Sequence, residues 1–223
     1  QGRLDFYNPR TNWVARCFTI EYAAWFRLLL PGIERLGLAV PLGGTTLFFR
    51  RQVLEDLGRW DAHNVTEDAD LGMRIARRGY RTELLDTTTF EEVNCRPHAW
   101  VKQRSRWIKG FMMTWLTHMR DPVQLWRDLG PRKFAGFQLL LAGSVLQTLL
   151  APVLWSFWLI PLGFDHPVEA ALPHAAFRLM WQSFLLVEIA VISFGIVGSA
   201  QTRHRLSPLW VPTMVFYYPL ATL

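Results

Sequence analysis

Thr66-Glu67-Asp68-Ala69-Asp70-Leu71-Gly72-Met73-Arg74-Ile75-Ala76-Arg77-Arg78-Gly79 is the stretch from which the fold class is read. Thr66 suits a helix N-cap, Leu71 and Ile75 share a helical face, and Gly79 suits a C-terminal cap, so a helix is expected over about residues 67–78. Arg74, Arg77 and Arg78 are expected on its solvated face. Residues 80–85 read as a strand on one side of this helix. On the other, Pro41-Leu42-Gly43-Gly44 reads as a turn into a buried strand over 45–49, and residues 51–57 read as a short helix ended by Gly58. Strand, helix, strand is an α/β pattern. The adjacent Gly43 and Gly44 let the backbone approach a ligand or another chain closely, or simply turn. Residues 12–30, rich in Trp, Phe and Leu, read as a helix in the core or at a membrane surface, ended by Pro31-Gly32.

A shift in composition divides the chain. Residues 1–133 carry most of the charge, and residues 134–164 carry none. A membrane span needs about 20 apolar residues to cross roughly 30 Å of hydrocarbon. Spans are expected over about 134–162, 179–202 and 206–223, with a soluble part over 1–110 and an interfacial amphipathic segment over 111–133. Arg127, Arg132 and Lys133 precede the first span, and Arg203 and Arg205 follow the second, which puts the soluble part on the cytoplasmic side. Glu188 then falls within the bilayer depth, either facing a polar path or protonated and packed.

The net charge of +6 suits nucleic acid or, alternatively, phosphorylated substrates and anionic lipid headgroups. The apolar spans favour the second reading, so a lipid bilayer and no nucleic acid is expected as partner. Cys17 and Cys95 are too few for a disulfide framework or a zinc-type spacing. The chain starts at Gln1 and is expected to be a piece of a longer protein.

Two short motifs carry chemistry. Glu67 and Asp68 lie in the first turn of their helix, where the dipole favours negative charge and keeps a base ionised; first-turn acids are also common as plain structure. Asp68 and Asp70 do not face each other on a helix, so Asp70 reads as a helix acid rather than a metal partner. The second motif is Gln103-Arg104-Ser105-Arg106-Trp107, in a basic-aromatic stretch free of acidic residues. If residues 100–119 are helical, Gln103, Arg106, Trp107 and Gly110 share one face, with Gly110 leaving room beside it. A guanidinium there could hold a diphosphate and an indole could stack on a sugar. A basic amphipathic helix lying on a bilayer is the alternative.

In this order, and followed by apolar spans, the two motifs resemble those of family 2 glycosyltransferases of the cellulose-synthase-like, membrane-embedded type. The resemblance runs from about Gly43 to Trp107. It implies the C-terminal part of a GT-A-like, Rossmann-type α/β domain followed by transmembrane α-helices. It implies an integral membrane enzyme, of the inner membrane in bacteria, that moves a sugar with inversion from a nucleotide-diphosphate sugar such as UDP-glucose to a growing glycan. Asp68 matches the family's proposed base. Thr66, Glu67, Gly43, Gly44, Gln103, Arg104, Arg106 and Trp107 are expected at the donor and acceptor sites. Mg²⁺ or Mn²⁺ is the implied cofactor, with its aspartate ligands expected before Gln1 and no metal ligand within this stretch. Glu-Asp-Ala and Gln-Arg-Ser-Arg-Trp lean towards a β-glucan product, although the Phe-x-Val-Thr-x-Lys gating segment of bacterial cellulose synthases is absent. Transfer of a single sugar to a lipid or short glycan, and an inactive membrane scaffold that binds glycan or nucleotide, are the alternatives.

Overall fold

The computed structural model describes residues 1–222, and its body is mainly helical. Strand β1 (Arg3–Phe6) pairs in parallel with β2 (Thr88–Glu91), Arg3 opposite Thr88 and Phe6 opposite Glu91. This pair is the one sheet among the described residues. It lies outside both expected strands, which corrects the sequence reading. Residues 45–49 are not a strand because Thr46 takes a φ of 53°. There the Gly2 N–H donates to Thr46 O (2.9 Å) and the Gln1 amide donates to Thr45 O (3.0 Å). Residues 80–85 stay irregular, with Leu84 N donating to the Glu34 carboxylate (3.2 Å) and Leu85 N to Gln1 O (2.8 Å). Side-chain and terminal groups thus satisfy that backbone in place of a ladder.

Helix α1 (Trp13–Ala24) starts where Asn12 Oδ1 accepts the Ala15 N–H (2.9 Å). It passes through a π-helical turn (Trp25–Leu29) into α2 (Leu30–Arg35). Pro31 lies just after the π-helical turn, and the helical run continues through it to Arg35 instead of ending there as expected. Val14, Cys17, Phe18 and Ile20 of α1 are buried, which makes α1 a core helix. Helices α3 (Arg51–Asp56) and α4 (Glu67–Arg77) follow, close to their expected bounds. Gly79, at φ +77°, follows the end of α4.

Helix α5 (Pro97–His118) leads to α6 (Pro122–Phe137), whose N-cap Asp121 accepts the Gln124 N–H (2.9 Å). Gly130 (φ 70°, ψ 169°) ahead of Pro131 breaks α6. The N-terminal half of α6 buries Leu125 and Leu129 against Met73 and Ala76 of α4, with Val123 and Trp126 exposed. The helical run continues through a π-helical segment (Gln138–Ala142), α7 (Gly143–Ser156) and a 3₁₀ segment (Phe157–Leu162). Helix α8 (His174–Gln201) comes next. Among the described residues, Pro122–Leu162 and His174–Gln201 are the two helical runs long and apolar enough to cross a membrane.

Over the third expected span, residues 208–222 form one continuous helical run made of a 3₁₀ segment (Pro208–Thr213), α9 (Met214–Tyr217) and another 3₁₀ segment (Tyr218–Thr222); Leu223 lies outside the described residues. Leu206, Val211, Met214 and Tyr217 join the core formed by Leu4, Phe6, Phe18 and Ile20. The end of α8 docks there too. A Cβ on Gly198 would lie 2.9 Å from Ala24 N, and one on Gly195 would lie 2.8 Å from Val211 Cγ1.

Candidate active site

Asp68 is placed by the N-terminus of α4. Asn64 Oδ1 accepts the Thr66 N–H (3.1 Å), and Thr66 O accepts the Asp70 N–H (3.1 Å), so Thr66 holds the N-cap position through its backbone. Its side chain makes no capping bond, contrary to expectation. Asp68 Oδ1 accepts the Ala69 N–H (2.8 Å). Gly44 approaches from the other side, where a Cβ would lie 3.4 Å from Asp68 Oδ2. Burial pushes the Asp68 carboxyl up, the Ala69 N–H opposes it and the Glu67 charge adds to it, to a pKa of about 6. The helix dipole alone does not set this group. Asp68 is ionised at neutral pH but far more basic than an ordinary aspartate, as a general base should be.

Gly43 has a structural position. Its N–H donates to Gln1 Oε1 (2.9 Å), and a Cβ there would stand 3.1 Å from Phe26 Cζ. Of the two glycines, Gly44 is the one against the carboxylate.

Helix α5 carries the second motif and is fixed to α4 by one face. Gly110, Thr114 and His118 are all buried and recur every four residues. Gly110 meets Thr66: a Cβ would collide with Thr66 Cγ2 and Oγ1 and come within 2.8 Å of its Cβ. The room expected beside Gly110 is therefore filled by the acidic motif itself. Thr114 Oγ1 accepts from Asn64 Nδ2 (2.8 Å). His118 Nε2 pairs with Asp70 Oδ1 (2.9 Å), and Arg74 Nε donates to Asp70 Oδ2 (2.8 Å). Arg77 donates to Asp128 (2.7 Å) and lies 3.2 Å from His118 Nδ1. Arg74 and Arg77 are thus bound inward, which corrects the solvated face expected for them; Arg78 is exposed. Burial would raise Asp70, but the His118 hydrogen bond and the Arg74 charge outweigh it and hold Asp70 below the usual carboxylate range.

The rest of the motif faces α1. Trp107 is half-buried and stacks on Tyr22 (centroids 6.2 Å, planes 30°). Tyr22 packs on Phe6, Phe18 and Phe26 at 4.9, 4.7 and 5.5 Å. Gln103 Oε1 accepts from Asn94 Nδ2 (3.4 Å), and Arg106 is exposed. Arg104, expected with Arg106 at a diphosphate, is instead paired with Glu21 and enclosed by rings. That occupied guanidinium is not a donor-site group in this structure.

Tyr22, Asn64 and His118 were not singled out from sequence. The four-residue spacing of Gly110, Thr114 and His118 is a signal that could have found the last of them.

The described residues contain no group of three or more His, Cys, Asp or Glu placed to hold a metal. Asp70, two residues from Asp68, is committed to His118 and Arg74. Asp68 and Asp70 are therefore not a metal-holding pair.

Comparison with known proteins gives the family. The chain is 34% identical over 110 residues to a probable glycosyltransferase, YdaM, of Bacillus subtilis, covering 49% of this chain and 26% of that protein. It is 25% identical over 216 residues to a probable glucomannan 4-beta-mannosyltransferase of Oryza sativa, covering 94% and 35%. It is 28% identical over 138 residues to a UDP-forming cellulose synthase catalytic subunit of Dictyostelium discoideum, covering 58% and 13%. The chain thus spans about a third or less of the length of these curated relatives. The family model described as glycosyl transferase family group 2 matches residues 1–222, so this chain, with its acidic motif seated on the Gln-x-x-Arg-Trp helix, belongs to that family.

Proposed function

We propose that this chain is part of a membrane-embedded, inverting glycosyltransferase that extends a polysaccharide from a nucleotide-diphosphate sugar. The observation that carries the reading is Asp68: a raised-pKa carboxylate beside Gly44, on a helix end locked to the Trp107 helix. In the proposed step, the acceptor hydroxyl oxygen attacks the anomeric carbon as Asp68 takes its proton. The bond from that carbon to the diphosphate oxygen breaks, and the nucleoside diphosphate leaves. The exposed Arg106 guanidinium would meet the developing charge on the diphosphate, and the exposed part of the half-buried Trp107 side chain would contact the acceptor sugar. Positioning and electrostatics supply most of the rate in such a scheme.

Membrane embedding rests on the two apolar helical runs. Leu139, Leu149 and Leu186 on them are 74%, 72% and 69% exposed, as lipid-facing side chains would be. Two of the relatives carry names of 4-beta-mannosyl transfer and cellulose synthesis, which supports a β-linked hexose polymer as product and UDP-glucose as the first donor to try.

The test is donor turnover by the full-length protein in membrane vesicles, using radiolabelled UDP-glucose with Mg²⁺, beside Asp68→Asn, with the product sized. Long product that disappears in Asp68→Asn is expected. Near-normal turnover in that variant would remove Asp68 as the base, and a single-sugar product would replace polymer extension with simple transfer.

A further inference from the structure

Arg104 sits where the proposed chemistry does not use it, yet it is the most heavily engaged cation near Trp107. Its Nη2 donates to Glu21 Oε2 on α1 and to Tyr217 Oη on α9 (3.0 Å). Tyr217 Oη in turn donates to Glu21 Oε2 (2.7 Å) and accepts the Trp100 indole N–H (3.1 Å). The guanidinium carbon lies 4.9 Å from the ring centroids of both Trp107 and Phe18, and 5.1 Å from that of Trp100. The Arg104 and Glu21 side chains are only 15% and 21% exposed.

A cation enclosed by rings is attracted to their faces more strongly as it is desolvated. Enclosure alone would disfavour the charge, so the carboxylate of Glu21 is what keeps the guanidinium in place. Trp107 therefore has two ring-face neighbours of different kinds, Tyr22 and Arg104. Without Glu21 or Tyr217, Arg104 loses the anchors that hold it among the rings, and Trp107 loses one of those neighbours. Lysine could not substitute, because its point charge lacks the planar fork that reaches carboxylate, hydroxyl and ring together.

We propose that Glu21, Arg104 and Tyr217 form a positioning triad that fixes the Trp107 ring and ties it to the C-terminal segment of the chain. The inference rests on reading Trp107 as the seat of the acceptor sugar. None of the three touches substrate in this scheme; they act through Trp107.

The experiment measures acceptor KM, and the ratio of transfer to donor hydrolysis, in full-length enzyme with UDP-glucose and cellotetraose. The variants are Trp107→Ala, Glu21→Gln, Tyr217→Phe and the double variant Trp107→Ala with Glu21→Gln. Trp107→Ala should raise acceptor KM the most. Tyr217→Phe, which keeps the ring, and Glu21→Gln should each raise it about fivefold and lower the transfer ratio. In the Trp107→Ala background, Glu21→Gln should add nothing further to acceptor KM. If Trp107→Ala raises KM while Tyr217→Phe and Glu21→Gln do not, the triad is overturned and Trp107 stands. A full Glu21→Gln effect in the absence of Trp107 overturns the triad as well. An unchanged KM in Trp107→Ala overturns the reading of Trp107 itself.

Discussion

Gly110 of α5 lies directly on the side chain of Thr66, with no space for a Cβ between them. This contact sets how the Thr-Glu-Asp turn meets the Gln-x-x-Arg-Trp helix. Gly110→Ala should therefore be harmful although alanine is the better helix former by about 1 kcal/mol. Overpacking of this kind costs about 1–3 kcal/mol, so the clash outweighs the propensity gain. Thermal unfolding of the full-length protein should show a lower Tm, and transfer should fall as Asp68 shifts. Thr66→Ala in the same chain removes two of the three clashing atoms and should return part of the stability. A Gly110→Ala protein with unchanged or raised Tm would show that the two helices are not in this contact.

The raised Asp68 carboxyl gives a pH dependence with a definite sign. A base with a pKa of about 6 is lost to protonation below it, so transfer should rise with pH through about 6 and level off above. Stability runs the opposite way. Native Asp68 holds its proton to higher pH than the unfolded chain does, whose carboxyl titrates near 3.8, so its ionisation in the fold becomes a cost as pH rises from about 4 to above 6. Asp68→Asn should then abolish transfer while raising Tm more at pH 8 than at pH 4. An equal change in Tm at both values would mean that the carboxyl is not desolvated.

Asp70 illustrates the contrary case two residues away. Its depressed carboxyl contributes stability that is present above the unfolded value near 3.8 and lost as pH falls through the folded one. The Asp70 and His118 side chains are 7% and 4% exposed, so breaking the pair leaves a buried charge without one of its partners. His118→Ala should cost about 3 kcal/mol in denaturant unfolding. Its effect on transfer should follow the loss of folded protein, with kcat per folded molecule nearly unchanged. A large fall in kcat at full folding would make His118 part of the chemistry rather than of the scaffold.

Helices α3 and α4 were legible because each has a local signal, a periodic face or a glycine stop. The sheet was not. Arg3–Phe6 and Thr88–Glu91 are four-residue strands far apart in sequence, and their pairing is a tertiary event with no local periodicity. The segments that did look like strands are diverted by Thr46 at positive φ and by the hydrogen bonds that Gln1 and Glu34 supply. The surroundings of Arg104 were hidden for a related reason. The family resemblance put it at the donor and acceptor sites, while its partners Glu21 and Tyr217 are distant in sequence and only the fold brings them together. The apolar run over 206–223 was legible by composition, but its packing was not: Val211, Met214 and Tyr217 meet residues of the first 25 positions, a contact that only the fold makes.

The exposed leucines of the two long apolar runs allow a test of whether these runs face lipid. Leu149 on α7 and Leu186 on α8 are 72% and 69% exposed, so replacing either by arginine removes almost no packing inside the protein. In water, such a change is nearly neutral for stability and helps solubility. In a bilayer, an arginine near the middle of a span costs about 2.5–3.5 kcal/mol on insertion scales. Leu149→Arg and Leu186→Arg should therefore reduce the fraction of full-length protein that resists carbonate extraction from membranes, and the pair together should reduce it more than either alone. Leu209→Arg is the control. Leu209 is 82% exposed but lies on the short Pro208–Thr213 segment rather than on a long helix, so extraction should change little. If all three variants extract alike, or if Leu149→Arg gives more soluble folded protein, the two helices do not cross a membrane at these positions.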